Sequence, residues 1–225
     1  MHLARPADLE APPQLAVRRR GRLDPARVGE RAARHEQADV LPDGPVQADL
    51  ARFAGIADKT ALAAALGSQT RADVDPLNST DFETENLFGV FVTQALKGGE
   101  VVPYLLQGGL GIPQREYYVS ADPKMAAIRA AYRKYIADVL AAANIPDADA
   151  KAQRIFDLET KIAQAHATRE ESDDWATASS LWTQADFAAK APGLDWNAYF
   201  KAANLAGYRT FDAYHPGAIT KLSAL

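Results

Sequence analysis

The residues able to do chemistry are four histidines, a scatter of carboxylates and a glycine-rich corner, and their spacing decides what each could support. "HEQAD", His35 to Asp39, opens like the zinc-binding H-E-x-x-H helix, in which two imidazoles one turn apart grip the metal. Its second histidine position holds Asp39, so the pattern is only half present and no metal role follows. His166 and Glu170 stand four apart and could share a helix face, which reads as a polar surface or capping pair. Zinc wants roughly three or four ligands, and His2, His35 and His215 are scattered along the chain. "REESDD", Arg169 to Asp174, offers the paired carboxylates that general acid and base catalysis uses, but so polar a run at a helix end reads as a solvated face.

"LLQGGLGIPQREYYVS", Leu105 to Ser120, invites comparison with a phosphate loop. The G-x-G-x-x-G spacing would need glycine at Gln114, and Pro113 removes a backbone donor where a phosphate wants one. Ser120 and Thr183 have no histidine base near them in sequence, so no nucleophile is visible. The corner instead reads as architecture: Gly108, Gly109 and Gly111 permit positive φ or close backbone approach, Pro113 stiffens the turn, and Tyr117 and Tyr118 pin it to helices. A corner so rigid could also line a cavity.

These residues must be positioned by elements legible along the chain. "VQADLARFAGIADKTALAAALG" places Leu50, Phe53, Ile56, Leu62 and Leu66 at helical spacing, with a break at Gly55 and Asp58 and a stop at Gly67. Leu87 to Leu96 and Val101 to Leu106 read as two strands of a hairpin turning at Lys97 to Glu100. Pro103 cannot donate to a ladder, which predicts an edge strand or an outward-turned position. Ser120 or Asp122 caps a helix from Pro123 with an apolar stripe of Met125, Ile128, Tyr132, Tyr135, Ile136, Val139 and Leu140. Asp147 caps a second long helix carrying Ile155, Leu158, Ile162 and Ala165, and the short connection predicts an antiparallel helical hairpin. Thr183 and Asp195 cap two shorter helices separated by Pro192 and Gly193. The expected fold is mainly α, a helical domain with one β-hairpin.

At 225 residues, 48% hydrophobic and 24% charged, the chain can bury a core, and a net charge of -4 offers no broad attraction for nucleic acid or anionic membrane. The absence of cysteine excludes disulfides and thiolate chemistry. No apolar run approaches the roughly 18 residues of a membrane span, and the start lacks a signal peptide's apolar region. Residues 1–45 are foreign to the rest. They hold eight of the sixteen arginines and neither lysine nor aromatic residue, which reads as a disordered basic arm or as out-of-frame translation of GC-rich DNA.

"LLQGGLGIPQREYYVSADPKMAAIRAAYRKYI" closely resembles the amino-terminal helical region of the neprilysin and endothelin-converting-enzyme family of zinc metallopeptidases, particularly its bacterial oligopeptidase members. Against the pattern Q-G-G-L-G-L-P-D-R-x-Y-Y, this chain matches at Gln107, Gly108, Gly109, Leu110, Gly111, Pro113, Arg115, Tyr117 and Tyr118 and departs at Ile112 and Gln114. "RIFDLETKIAQAHATREESDD" and "HPGAITKLSAL" resemble the family's A-x-x-R-x-E-x-R-D and Q-P-x-A-I-x-x-L-x-x-L segments, so the resemblance spans residues 46–225. "NAYF", Asn197 to Phe200, is a false match to a substrate-gripping motif. It stands where the family has a D-W-x-x-Y helix, here anchored by Asp195 and Trp196.

The resemblance implies an incomplete piece of a larger two-domain metallopeptidase, the part that covers the catalytic cavity. The family's zinc site lies in its carboxy-terminal part and none of that part is expected here, so no catalytic, metal or substrate residue is carried over and no cofactor is expected in this chain. By the same resemblance the intact protein uses zinc, acts on oligopeptides and is exported in bacteria. The chain by itself would be inactive, or would act as an interaction module for a separate catalytic chain.

Overall fold

A computed structural model describes residues 45–70, 86–96 and 98–225. The chain divides into two units, Met1–Asp49 and Leu50–Leu225. The arginine-rich segment, "HEQAD" and Lys97 in the hairpin turn lie outside the described residues.

In chain order the elements are helices α1 (Pro45–Ala54) and α2 (Lys59–Gln69), strands β1 (Phe88–Gln94) and β2 (Val101–Gln107), helices α3 (Arg115–Val119), α4 (Pro123–Ala142), α5 (Ala148–Ala165), α6 (Arg169–Asp173) and α7 (Trp175–Ala178), strand β3 (Leu181–Thr183), helices α8 (Gln184–Lys190) and α9 (Trp196–Ala202), strand β4 (Thr210–Ala213) and helix α10 (Pro216–Ser223). The fold is mainly α, as the patterning implies. Its boundaries follow local chemistry: Asp58 accepts from the Ala61 N–H at the start of α2, Asp122 from Lys124 at the start of α4, and Asp195 from Ala198 at the start of α9. Thr183 and Asp186 form a reciprocal capping box on α8.

Three expectations need correction. Gly67 does not stop α2, which runs on to Gln69. It is buried where the helix backbone meets the Tyr199 carbonyl of α9, and a Cβ there would lie 3.0 Å from the carbonyl carbon. Asp147 occupies the N-cap position of α5 in the left-handed region, at φ 57, and its side chain makes no cap bond. Pro103 is buried in a strand interior to the sheet. That is tolerated because the parallel neighbour pairs only from Tyr104 onward.

The hairpin is half of a mixed four-stranded sheet in the order β1-β2-β4-β3. β1 and β2 run antiparallel from Phe88↔Gln107 to Gln94↔Val101, β2 pairs with β4 in parallel at Tyr104↔Asp212 and Leu105↔Ala213, and β4 pairs antiparallel with β3. Strands of three and four residues are too short to show alternation in the sequence. Both faces of the sheet are covered, because successive side chains point to opposite sides. Phe88, Val90, Leu105, Phe211 and Ala213 join the main core, while Val102, Tyr104 and Leu106 form a second cluster with Phe91 and Tyr214.

The main core is aromatic. Phe187 and Phe200 are fully buried and contact Trp196 and Phe211, with the Phe200 and Phe211 rings stacked at 4.3 Å. The Trp196 indole N–H donates to the Ala191 carbonyl at 2.6 Å, so the polar tip of a buried ring is satisfied. α4 and α5 form the expected hairpin through Ile136, Ala137 and Ala152. Tyr132 and Leu140 pack partly buried beside this contact, whereas Ile128, Tyr135 and Val139 of the α4 stripe are exposed. No helix among the described residues is long and apolar enough to cross a membrane.

Candidate functional site

The glycine corner leaves the end of β2 and is clamped on every side. The Gly108 N–H donates to the Leu87 carbonyl at 3.0 Å, and the Gln107 side-chain oxygen accepts from the Ala167 N–H at 2.8 Å. Gly109 has φ +87, a region that a residue bearing Cβ rarely adopts. At Gly111 a Cβ would collide with the Tyr132 hydroxyl, so the lack of a side chain there admits the phenol.

Tyr118 locks the second half of the corner. Its hydroxyl accepts from the Ile112 N–H at 2.9 Å and donates to Glu159 Oε2 at 2.6 Å, while the Tyr132 hydroxyl donates to Glu159 Oε1 at 3.1 Å. Burial, reinforced by the Glu159 carboxylate, raises both phenols far above the ordinary value, so they remain donors at any physiological pH. Arg129 ties the following turn by donating to the Tyr117 and Ser120 carbonyls, both at 3.0 Å.

A cavity of about 590 Å³ opens beside the corner, with Gln107, Arg115, His166, Arg169, Tyr214 and His215 in its wall. Topology brings them together. β2 and β4 are parallel neighbours, so their carboxy-terminal exits emerge at the same end of the sheet: one leads into the corner and Arg115, the other into Tyr214 and His215. The Tyr214 N–H donates to the Leu105 carbonyl at 3.1 Å and the His215 N–H to the Ala178 carbonyl at 2.8 Å, which fixes the second exit. His215 is left-handed at φ 60, directly ahead of Pro216. Its ring packs edgewise on Tyr214 at 4.5 Å.

His166 is the residue that ends α5, not a member of its surface. It is buried, with Nε2 on the Gly108 carbonyl at 2.9 Å, and Glu170 lies exposed on the separate helix α6. The expected i, i+4 pair on one helix is therefore not formed. Burial holds the pKa of His166 below its ordinary 6.5, and the nearby His215 and Arg115 act in the same direction against the hydrogen bond to Gly108. Burial also lowers His215, opposed by Glu171.

Of the carboxylates of "REESDD", Glu171 serves the helix it sits on and the others face solvent. Glu171 and Thr168 form a reciprocal capping box, with the Glu171 carboxylate accepting from the Thr168 N–H at 2.7 Å, and Glu170 and Asp173 are exposed. Ser120 accepts from the Asp122 N–H at 3.2 Å and Thr183 caps α8, so both hydroxyls are structural. Asp195 and Trp196 anchor α9 as expected. From the same helix the Tyr199 hydroxyl meets Thr70 Oγ1 at 2.9 Å.

Among the described residues no three His, Asp or Glu side chains gather to hold a metal ion. Zinc, which the family resemblance implies for the intact protein, does not fit this cavity: His166 already bonds Gly108 through Nε2, and Arg115 and Arg169 would repel a cation. The sequence did not reveal that Arg115 and His215, 100 positions apart, share one wall, nor that fully buried Asp212 accepts from Ser179 Oγ at 2.5 Å and the Ser180 N–H at 3.1 Å. The one available signal was His215 directly ahead of Pro216, a histidine where Ser, Thr, Asp or Asn is the preferred helix cap.

The sequence model described as peptidase family M13, for the amino-terminal part, matches residues 32–225. Three solved structures of a zinc metalloprotease of Mycobacterium tuberculosis are similar. The open state has TM-score 0.68 at 28% identity over 80% of this chain and 27% of that one, and the inhibitor complex has 0.69 at 28% over the same shares. A partial open state has 0.54 at 29%, over 80% and 26%. The chain thus spans about a quarter of the length of the structures it matches. No curated protein matches the chain.

Proposed function

The chain belongs to peptidase family M13 and matches the family's amino-terminal region, and from that premise we propose that it is a noncatalytic part forming the helical wall over the catalytic cavity of a zinc endopeptidase acting on oligopeptides. The observation that carries this reading is the corner from Gln107 to Tyr118. Of the residues it shares with the family motif, Gln107, Gly108, Tyr117 and Tyr118 are committed to hydrogen bonds and Gly109 and Gly111 to a positive φ or a close approach, so this part of the motif specifies a scaffold. A rigid scaffold suits a wall that limits entry by size.

Residues 46–225 form the wall in this proposal, and the arginine-rich stretch before them is not part of it. In the intact protein the zinc and the base come from the catalytic region, and this part excludes large substrates without touching the reacting atoms. The test combines the purified 225-residue chain with the catalytic region of a relative produced separately, using a short and a long quenched fluorescent peptide. Alone, the chain should cleave neither and retain no zinc. Added to the catalytic region, it should suppress cleavage of the long peptide more than the short one. Zinc-dependent cleavage by the chain alone would refute the proposal.

A second reading, a binding module for a separate chain, is favoured by the uncovered stripe of Ile128, Tyr135 and Val139 on α4. Capture of a catalytic chain with no effect on size selectivity would support this reading over the first.

A further inference from the structure

Among the described residues, the buried side-chain nitrogens without a partner in the protein are Arg115 Nε and both ring nitrogens of His215. All three belong to residues in the wall of the cavity beside the glycine corner. A buried polar group left unpaired costs its desolvation, so such groups are few in folded proteins and each calls for a reason. Here the two residues that carry them meet in one cavity wall, and His215 also borders a second, smaller cavity with Glu171 and Lys221.

The character of the wall narrows what would satisfy them. A guanidinium brings five donors and no acceptor, and a neutral imidazole always presents one N–H. Arg115 and Arg169 face a single carboxylate, Glu116, whose Oε1 lies 3.9 Å from Arg115 Nη1, too far for a hydrogen bond. Glu116 is the only carboxylate among the wall residues, and none of the wall's acceptors pairs with Arg115 Nε or the His215 ring. Arg115 keeps 26% of its side chain exposed, so a ligand can reach its fork. Leu106, Pro113 and Ala167 supply apolar surface next to these donors, and the volume is in the range of small-molecule sites.

We propose that this cavity is a carboxylate-binding site, in which the Arg115 guanidinium grips the carboxylate and His215 gives a second donor while the apolar wall covers the ligand's carbon chain. One guanidinium matches one carboxylate in a two-pronged contact, and the apolar flank suits an organic acid better than an inorganic phosphate. The proposal goes beyond the covering role in a peptidase and is independent of it, because its readout involves no cleavage.

The test uses ¹H–¹⁵N spectra of the full chain, following the Arg115 Nε–H and the His215 ring nitrogens. The probes are sodium acetate, sodium butyrate, an acetylated dipeptide with a free carboxyl end and the same dipeptide as its amide, each against sodium chloride at matched ionic strength. Saturable shifts at both residues are expected with the carboxylates and none with the amide. Arg115→Gln should weaken binding about tenfold or more, and Arg115→Lys, which keeps the charge but loses the fork, should fall between. The lysine variant also serves if the glutamine variant fails to fold. Tighter binding of the dipeptide acid than of butyrate supports the site and points to a peptide terminus as its source, whereas equal binding supports it with a free small acid as the source. Absence of saturation into tens of millimolar, or an equal response to chloride, would overturn the proposal.

Discussion

Replacing Gly67 with alanine sets two well-understood effects against each other. In a helix interior alanine is favoured over glycine by about 1 kcal/mol, so propensity alone predicts a more stable protein. Gly67, however, lies on the face of α2 that packs against α9, where an added Cβ would overlap the Tyr199 carbonyl oxygen and lie 3.0 Å and 3.1 Å from the Tyr199 carbonyl carbon and Cα. These are backbone atoms, so no rotamer change relieves the overlap and the helices must separate. Overpacking of this kind costs about 1–3 kcal/mol, and the upper end applies when backbone must move. Separation also stretches the buried contact between Thr70 Oγ1 and the Tyr199 hydroxyl, which contributes about 1 kcal/mol. The balance is a loss of about 3 kcal/mol, and with roughly 2–4 °C per kcal/mol for a chain of this size, Tm should fall by roughly 6–12 °C. Urea denaturation and thermal melting followed by circular dichroism measure it. Tyr199→Phe, which removes only the hydroxyl, should cost about 1 kcal/mol and lose part of that cost in the Gly67→Ala background. An unchanged or raised Tm for Gly67→Ala would refute the close-approach argument and return Gly67 to the role of an ordinary helical glycine.

Glu159→Ala should leave the hydroxyls of buried Tyr118 and half-buried Tyr132 without their acceptor and destabilise by about 2 kcal/mol or more, whereas Glu159→Gln should cost less; chemical denaturation compares the two. Removing this carboxylate should also let the two phenols ionise at lower pH, which ultraviolet titration reads. His166 and His215 have folded pKa values held below the ordinary 6.5, so the unfolded chain binds protons more readily. Stability should therefore be level above about pH 6.5 and decline as pH falls from there toward 5, and His215→Asn should flatten that decline in a Tm-against-pH series. The exposed Ile128, Tyr135 and Val139 stripe should make the isolated chain self-associate; sedimentation at rising concentration should show this, and Tyr135→Lys should reduce it.

Local signals were reliable where a few neighbouring residues settle the free energy. The caps Asp122, Thr183 and Asp195 each satisfy a donor within three residues of themselves, so composition and position sufficed to place them. The hairpin itself follows from two β-rich runs flanking a turn, but its register does not, since β1 ends at Gln94 and that residue, not the expected Leu96, stands opposite Val101. Reasoning failed where the same residue type has two uses. A glycine near the end of a helical pattern reads as a stop, but Gly67 is a close-approach site whose partner lies in α9. An apolar stripe reads as core, but Ile128, Tyr135 and Val139 are on the surface, since periodicity reports which face is apolar and not what covers it.

The sequence by itself determined the family, the mainly helical class, the hairpin and most helix starts, because these rest on motif identity and on interactions spanning one turn of chain. Only the tertiary structure decided that β3 and β4 complete a sheet, that His166 ends a helix with its ring on the Gly108 carbonyl, and that Arg115 and His215 meet in one cavity wall. A pair of parallel strands carries both exits to the same end, and no property of either exit in isolation reveals that neighbour. Such contacts are selected by the burial of the whole core, chiefly the aromatic cluster around Phe187 and Phe200, whose members come together only when the chain has folded.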